Sequence, residues 1–248
     1  MHPMLIQNIL RGSALFSAFD DEDIVRLAER MHVNHRVLAK GDVVIHAGSG
    51  DDSHRMYIVL EGALKVGMPQ ESGERETVLN VLTRGAVFGE HAMLDGGERS
   101  ASVSALMPSQ VASLHQSEFY ALCERHPQML QRMVRYLCGE VRRLSRRFDQ
   151  VATMSFKQRL AAYLLELGQT FGHQPIRITQ QDLSGAVGAT REQVSRQMKA
   201  FYQDGYLVKL DGDPDVPEKG PKVAGRHAQL HITPAGEQAL AAMLREEG

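Results

Sequence analysis

Residues 127–154 read PQMLQRMVRYLCGEVRRLSRRFDQVATM, and their spacing organises the rest of the chain. Large apolar residues fall at Leu130, Val134, Leu137, Val141, Leu144, Phe148 and Val151, in alternating steps of four and three. That is a heptad seam held for three heptads. Between the seam residues sit Arg135, Glu140, Arg142, Arg143, Arg146, Arg147 and Asp149, and Gly139 alone interrupts the run of good helix formers. A helix packed only on its own domain carries a wider apolar stripe. So narrow a seam asks for an identical seam opposite it. The spacing predicts a parallel two-stranded dimerisation helix over 127–154, with a glycine-rich half before it and a helical half after it.

The chain has 248 residues, 43% hydrophobic and 23% charged, enough for two small cores. Its net charge of −2 conceals a split. Residues 1–126 hold 11 Lys/Arg against 17 Asp/Glu, a balance of −6, whereas residues 127–248 hold 17 against 13, a balance of +4. Only the second half is thereby suited to a polyanion. Two cysteines, Cys123 and Cys138, are too few for a disulfide framework or an iron–sulfur cluster, which favours a reducing compartment. With no apolar run of membrane-spanning length and no signal-peptide pattern, a cytoplasmic protein is expected, with no membrane partner.

Residues 4–31 read as helical, with Ile24, Leu27, Ala28 and Met31 on one face after an Asp20-Asp21-Glu22-Asp23 start. From Val37 to about Leu114 the pattern changes to short alternating runs. Gly41-Asp42, Gly48-Ser49-Gly50-Asp51, Glu61-Gly62 and Ser72-Gly73 supply the turns between them. Strands of that length and spacing make a barrel or jelly roll. A helix near Ser117–Glu124 then leads into the long one.

Inside the strand-rich half lies Phe88-Gly89-Glu90-His91-Ala92-Met93-Leu94-Asp95-Gly96-Gly97-Glu98-Arg99-Ser100-Ala101. Gly89 permits close backbone approach to a ligand, and a helical turn after it would aim N–H groups at an anion. Arg99 offers a fork for two phosphate oxygens. Glu90 can accept from paired hydroxyls such as those of a ribose, and Ser100 adds a small donor. On these residues alone, a Glu90–Arg99 pair across a turn is an equally simple reading.

After Met154 the helical period returns, with Phe156, Leu160, Tyr163, Leu164 and Leu167 on one face. Ile176-Arg177-Ile178 reads as a short strand, and Thr179-Gln180-Gln181-Asp182 as a helix start. Gly188 ends that helix, and Thr190-Arg191-Glu192-Gln193 fits a capping box. Beyond it Val194, Met198 and Phe201 share one face, while Glu192, Ser195, Arg196 and Lys199 share the other. Two short helices around a Gly turn, the second polar outward, describe a helix-turn-helix. Tyr206-Leu207-Val208, a polar loop at 211–227 and Leu230-His231-Ile232 read as a long wing, and a last helix starts near Thr233.

The string F-G-E-x-A-M-x5-R-S-A-x-V at 88–103 resembles the phosphate-binding cassette of cyclic-nucleotide-binding domains. Gly41-Asp42-Val43-Val44 and Tyr57-Ile58-Val59-Leu60-Glu61-Gly62 resemble that domain's other signature. With the dimer helix and the helix-turn-helix, nearly the whole chain resembles a bacterial transcription regulator of the cyclic AMP receptor protein/Fnr (Crp/Fnr) family. The resemblance implies an α+β chain: a jelly-roll-like β-barrel sensor (1–126), a dimerisation helix (127–154) and a winged helix-turn-helix (155–248). It implies a cyclic nucleotide effector, cyclic AMP or cyclic GMP, at Gly89, Glu90, His91, Ala92, Arg99 and Ser100. Leu144 and Ser145 fall where cyclic AMP receptors place a Thr-Ser pair that touches the adenine across the subunit boundary. Ser145 is retained, but Leu144 cannot hydrogen-bond a purine edge. Ser49–Arg55 also departs from the commonest spacing.

The resemblance further implies a double-stranded inverted-repeat operator, with RNA polymerase a further candidate partner. Thr179, Gln180, Thr190, Arg191, Glu192, Ser195, Arg196 and Lys199 are the expected DNA-binding residues. Arg191 and Arg196 can fork onto guanine and Glu192 can accept from a cytosine amine, whereas Ser195 and Lys199 suit phosphate. Arg142, Arg143, Arg146 and Arg147 lie off the seam and read as a solvated face; reception of a larger cyclic dinucleotide such as cyclic di-GMP is the alternative. His32 with His35, and Cys123 with His126, are spaced i, i+3, but neither pair has a second pair to complete a zinc site. Neither a metal nor an enzyme is expected; a haem or gas effector, or partial independence of any ligand, is the alternative within the same family, and a nucleotide-binding adaptor that ignores DNA would leave the recognition helix without a purpose. Arg99 is expected to hold ligand at little cost in packing, so that Arg99→Leu would leave the fold unchanged.

Overall fold

The continuous apolar run Met56-Tyr57-Ile58-Val59-Leu60 has no polar face, and the structure buries both of its faces. The computed structural model describes residues 3–13, 15–16, 19–50, 53–69, 76–210 and 229–245. The long wing loop expected at 211–227, the Ser72-Gly73 turn and Asp51-Asp52 lie outside the described residues. By their contacts the residues fall into two compact units, Met1–Pro69 with Asn80–Arg146 and Gln70–Leu79 with Arg147–Gly248.

The first unit opens with α1 (Pro3–Gly12) and α2 (Asp21–Val33), so the stretch expected as one helical region is two helices. Asp20 makes the break: its carboxylate caps α2 by accepting from the Asp23 N–H at 2.9 Å. Strands β1 (His35–Leu38), β2 (Val43–Ile45), β3 (Arg55–Glu61), β4 (Ala63–Pro69), β5 (Glu76–Thr83) and β6 (Val87–Phe88) follow. Then come α3 (Glu90–Asp95), β7 (Ser102–Ala105), β8 (Ser109–His115), α4 (Gln116–Arg125) and α5 (Gln128–Thr153).

Among the described residues the strands make the jelly-roll-like arrangement expected, with its sheets unclosed. They form two open four-stranded sheets, ordered β1-β8-β3-β6 and β2-β7-β4-β5. Pleating sends alternate residues of β3 to two different cores. Tyr57 and Val59 pack between the sheets with Leu64, Phe88, Val103 and Val111. Met56, Ile58 and Leu60 pack outward against α1, α2, α4 and α5 through Leu10, Leu27, Phe119 and Met133.

Helix α5 presents two stripes with the same four/three spacing, one residue out of step. Met129 and Met133 are buried, and Tyr136 and Leu137 are half-buried on the sensor core. The seam residues Leu130, Val134, Val141, Leu144, Phe148 and Val151 are exposed, Phe148 to 78%. The arginines expected on a solvated face divide in the same way. Arg142 and Arg146 are exposed, but Arg143 is half-buried against Glu140 at 2.5 Å. Arg147 is also half-buried, 3.0 Å from Glu166, with its guanidinium 5.6 Å from the centre of the Tyr163 ring.

The second unit contains α6 (Phe156–Thr170), β9 (Ile176–Arg177), α7 (Gln180–Val187), α8 (Arg191–Gln203), β10 (Leu207–Leu210), β11 (Gln229–Ile232) and α9 (Pro234–Met243). Strands β10, β11 and β9 make a small antiparallel sheet. Leu160, Leu164, Leu183, Val194, Phe201 and Leu240 are fully buried here. Among the described residues no helix is long and apolar enough to cross a membrane.

Candidate functional site

The apolar letters of the cassette are there to hold its polar ones in place. Phe88 stacks on Tyr57 with centroids 5.1 Å apart, and Ala92 and Met93 are buried beneath α3. Between these anchors the chain must turn into α3 within one residue, and Gly89 does so at φ 75°. A Cβ there would lie 2.8 Å from Arg99 Nη1 and 3.0 Å from Ile45 Cδ1. Gly89→Ala therefore combines left-handed strain with a clash. It is expected to cost roughly 1–3 kcal/mol in urea unfolding and to displace Arg99; a variant as stable as wild type would show that the turn relaxes freely.

Arg99 and Glu90 are 4% and 5% exposed. They do not pair across the turn. Arg99 Nη1 donates to the Gly89 carbonyl at 2.5 Å and Nη2 donates to the Arg55 carbonyl at 2.8 Å. Backbone bonds between Gly48-Ser49 and Arg99 fix its place in the loop before β7. The expectation that this guanidinium carries little of the fold is thereby corrected, because it bridges two backbone segments. Glu90 lies 3.4 Å from His91 Nε2 and is hydrogen-bonded by the Tyr136 hydroxyl. Burial pushes its carboxyl above the ordinary value, and the Glu140 charge pushes the same way. His91, the backbone and Tyr136 partly offset this. His91 and Ser100 are exposed, and Ala92 is a core residue.

Tyr136 has no place in the cassette pattern, yet it approaches it, and Glu140 and Arg143 follow it on the same stripe of α5. The Tyr136 hydroxyl also meets the Val87 carbonyl at 3.3 Å. Burial raises the Tyr136 pKa, with Glu90 and Glu140 adding to it and Arg143 opposing. Leu144 and Ser145 are placed differently. Leu144 is 53% exposed on the seam, and the Ser145 hydroxyl turns back onto the Val141 carbonyl at 3.0 Å.

In the second unit, α7 and α8 have matching N-termini. Thr179 caps α7, accepting from the Asp182 N–H at 2.9 Å, and Thr190 caps α8, accepting from the Gln193 N–H at 3.2 Å. Both are reciprocal capping boxes, as read in the sequence for Thr190. Gly188 closes α7 at φ 62°, and Arg159 donates to the Val187 carbonyl there at 3.0 Å and to the Met154 carbonyl at 2.8 Å. Val194, Met198 and Phe201 hold α8 down, leaving Arg191, Glu192, Ser195, Arg196 and Lys199 exposed. Among the described residues no ion pair engages Arg191, Glu192, Arg196 or Lys199. Gln180, in the first turn of α7, is half-buried.

His35 is in β1, bonded to Gln110 at 2.8 Å, and His126 contacts Asp23. Cys123 is buried, with its thiol pushed up to about 11 by desolvation.

An open strand sandwich carrying the cassette, followed by a long helix and a helix-turn-helix, defines a sensor-coupled DNA-binding regulator. Residues 35–126 match the cyclic nucleotide-binding domain model, and residues 158–214 match the Crp-like helix-turn-helix domain. A transcriptional regulator, SdrP, of Thermus thermophilus is 30% identical over 173 residues, 67% of this chain and 81% of that protein. A CRP-like cAMP-activated global transcriptional regulator of Mycobacterium tuberculosis is 26% identical, over 84% of this chain and 93% of that one. The crystal structure of a CRP/FNR-family transcriptional regulator from Thermus thermophilus matches with a TM-score of 0.65. It is 24% identical and covers 86% of this chain and 100% of its own. The chain belongs to the Crp/Fnr family of transcription regulators. It is a DNA-binding regulator and not an enzyme.

Proposed function

We propose that this regulator works in the cytoplasm as a homodimer controlled by one cyclic mononucleotide per sensor, and that it reads an inverted repeat. The observation that carries this reading is the pair Glu90 and Arg99, two charged groups buried around a left-handed glycine in an apolar sandwich. Arg99 holds the cyclic phosphate with Gly89 and Ser100, and Glu90 accepts from the ribose hydroxyl. His91 and Ala92 complete the turn. Residues 1–126 are the sensor, 127–154 the dimerisation helix and 155–248 the DNA-binding part.

A mononucleotide is favoured over a dinucleotide by charge. The Glu140 charge acts unfavourably on Glu90, and Arg143 is paired with Glu140, so a second phosphate would find that arginine already neutralised by a carboxylate. Calorimetric titration with cyclic AMP, cyclic GMP and cyclic di-GMP tests this. A mononucleotide is expected to bind; binding of cyclic di-GMP alone would overturn the reading.

On DNA, two recognition helices related by a two-fold axis fit half-sites about 34 Å apart. Arg191 and Arg196 fork onto guanine, Glu192 accepts from cytosine, and Ser195 and Lys199 hold phosphate. Thr179, Gln180 and Thr190 flank the backbone. In a selection on randomised duplex at fixed salt, Arg196→Ala is expected to relax preference at one G·C pair per half-site, at about 1–3 kcal/mol. An equal loss on every sequence would reassign Arg196 to phosphate.

A further inference from the structure

Between α5 and α6 only Met154 and Ser155 are not helical, and Ser155 is extended at ψ 160°, where it caps α6. Two such residues by themselves would leave the angle between the helices soft. Side chains close that angle, and the last turns of α5 belong to the same compact unit as α6. Arg147, about 10 Å back along α5 from the corner, reaches Glu166, about 16 Å along α6. Its Nη2 donates to Glu166 Oε1 at 3.0 Å and to Oε2 at 3.1 Å. The same guanidinium lies 5.6 Å from the centre of the ring of Tyr163, a buried residue nearer the corner. At the corner itself Arg159 donates to the Met154 carbonyl at 2.8 Å and to the Val187 carbonyl, at the end of α7, at 3.0 Å. A fully exposed ion pair would add little. This one is half-buried, stacked on a ring and spans a two-residue joint, so it acts as a brace across a triangle.

We propose that Arg147, braced on Glu166 and Tyr163, sets the half-site spacing that this regulator accepts. This rests on the reading of the chain as a seam-paired dimer on an inverted repeat. Arg147 stands one residue before Phe148, an exposed seam residue. The brace therefore ties α6 to the part of α5 that would lie nearest the two-fold axis. From α6 the tie continues through Arg159 to the end of α7, and through the Gly188 turn to α8, which Thr190 caps. Each base pair added between half-sites moves the second by about 3.4 Å and turns it by roughly 35° around the duplex. Braced recognition helices cannot follow both changes, whereas unbraced ones can swing about residues 154–155. Arg147 is thus a positioning residue, acting through the helices it joins and not through contact with DNA.

The test compares the full chain with its Arg147→Gln, Glu166→Gln and double variants. Each is titrated onto the duplex that wild type selects and onto versions with the spacer lengthened or shortened by two base pairs. Mobility shift is run at fixed salt with cyclic AMP and cyclic GMP both present. Wild type is expected to lose about a hundredfold on the altered spacers, because both half-sites can no longer be engaged at once. Each single variant is expected to reduce that penalty to roughly tenfold or less. The double variant should relax it no further than Arg147→Gln alone, because the two groups form one brace. Glu166 lies off the seam, so Glu166→Gln separates the brace from chain pairing, and sedimentation should show this variant as a dimer. An affinity loss equal on every spacer would make the pair merely structural and overturn the inference. So would strict spacing in Glu166→Gln beside relaxed spacing in Arg147→Gln, or a Glu166→Gln chain that sediments as a monomer. If wild type itself binds all spacers alike, the inverted-repeat reading fails and the inference with it.

Discussion

Arg99→Leu is expected to lose cyclic-nucleotide binding and to destabilise the sensor half at the same time. The ligand effect follows from removing a charge-assisted fork in a buried site, worth roughly 2–5 kcal/mol by analogy with truncated buried charge pairs. The stability effect comes from the two carbonyls, of Gly89 and Arg55, that the guanidinium now satisfies. Leucine fills a similar volume but donates nothing, and each buried acceptor left without a donor costs about 1–3 kcal/mol. Calorimetry and urea unfolding on the same variant measure the two effects separately. Arg99→Lys is the informative companion: it keeps the charge, reaches only one carbonyl at a time, and should fall between leucine and wild type in both assays. Unchanged affinity in Arg99→Leu would place the ligand elsewhere. Unchanged stability would mean that the turn around Gly89 reorganises to pair its own backbone.

The contrast between Arg99 and Tyr136 shows how far the sequence can be read. Gly89, Glu90 and Arg99 stand in one short string whose apolar members also fix the local fold, so their proximity is local information. The capping boxes at Thr179 and Thr190 and the Gly188 turn are local too, and they are legible. Tyr136, with Glu140 and Arg143 after it on the stripe, meets the Val87 carbonyl from 49 residues away, and only tertiary packing brings it there. Their signal is nevertheless present. Met129, Met133, Tyr136, Glu140, Arg143 and Arg147 repeat the four/three spacing of the seam one residue out of step. The apolar seam hides that second stripe because half of its members are charged. The jelly-roll-like class is legible from strand length and spacing, but which strand pairs with which is not, because pairings such as β1 with β8 join distant segments that no turn signal encodes. The Asp20 cap that divides the first helical stretch is visible, but only as a start.

Introducing Val141→Asp together with Phe148→Asp is expected to leave the chain folded but monomeric, where the wild type is expected to dimerise through the seam. Both side chains are exposed in the single chain, to 62% and 78%, so replacing them removes little packing within it. Six seam residues stand exposed along α5 in this way. Burying them from two chains at about 1–2 kcal/mol each gives roughly 12–24 kcal/mol. Association costs about 4–15 kcal/mol in lost freedom and ordering, so the apolar seam decides the outcome. Facing aspartates in a parallel seam place like charges in a desolvated strip, which reverses it. Sedimentation at micromolar concentration should show the variant as a monomer and wild type as a dimer, with unchanged circular dichroism. Operator affinity should fall by a further factor of about a hundred or more, because a monomer loses the second half-site's effective concentration. A wild-type chain that sediments as a monomer, or a double variant that remains dimeric, would remove the seam as the interface. The two-fold operator would then need another source of symmetry.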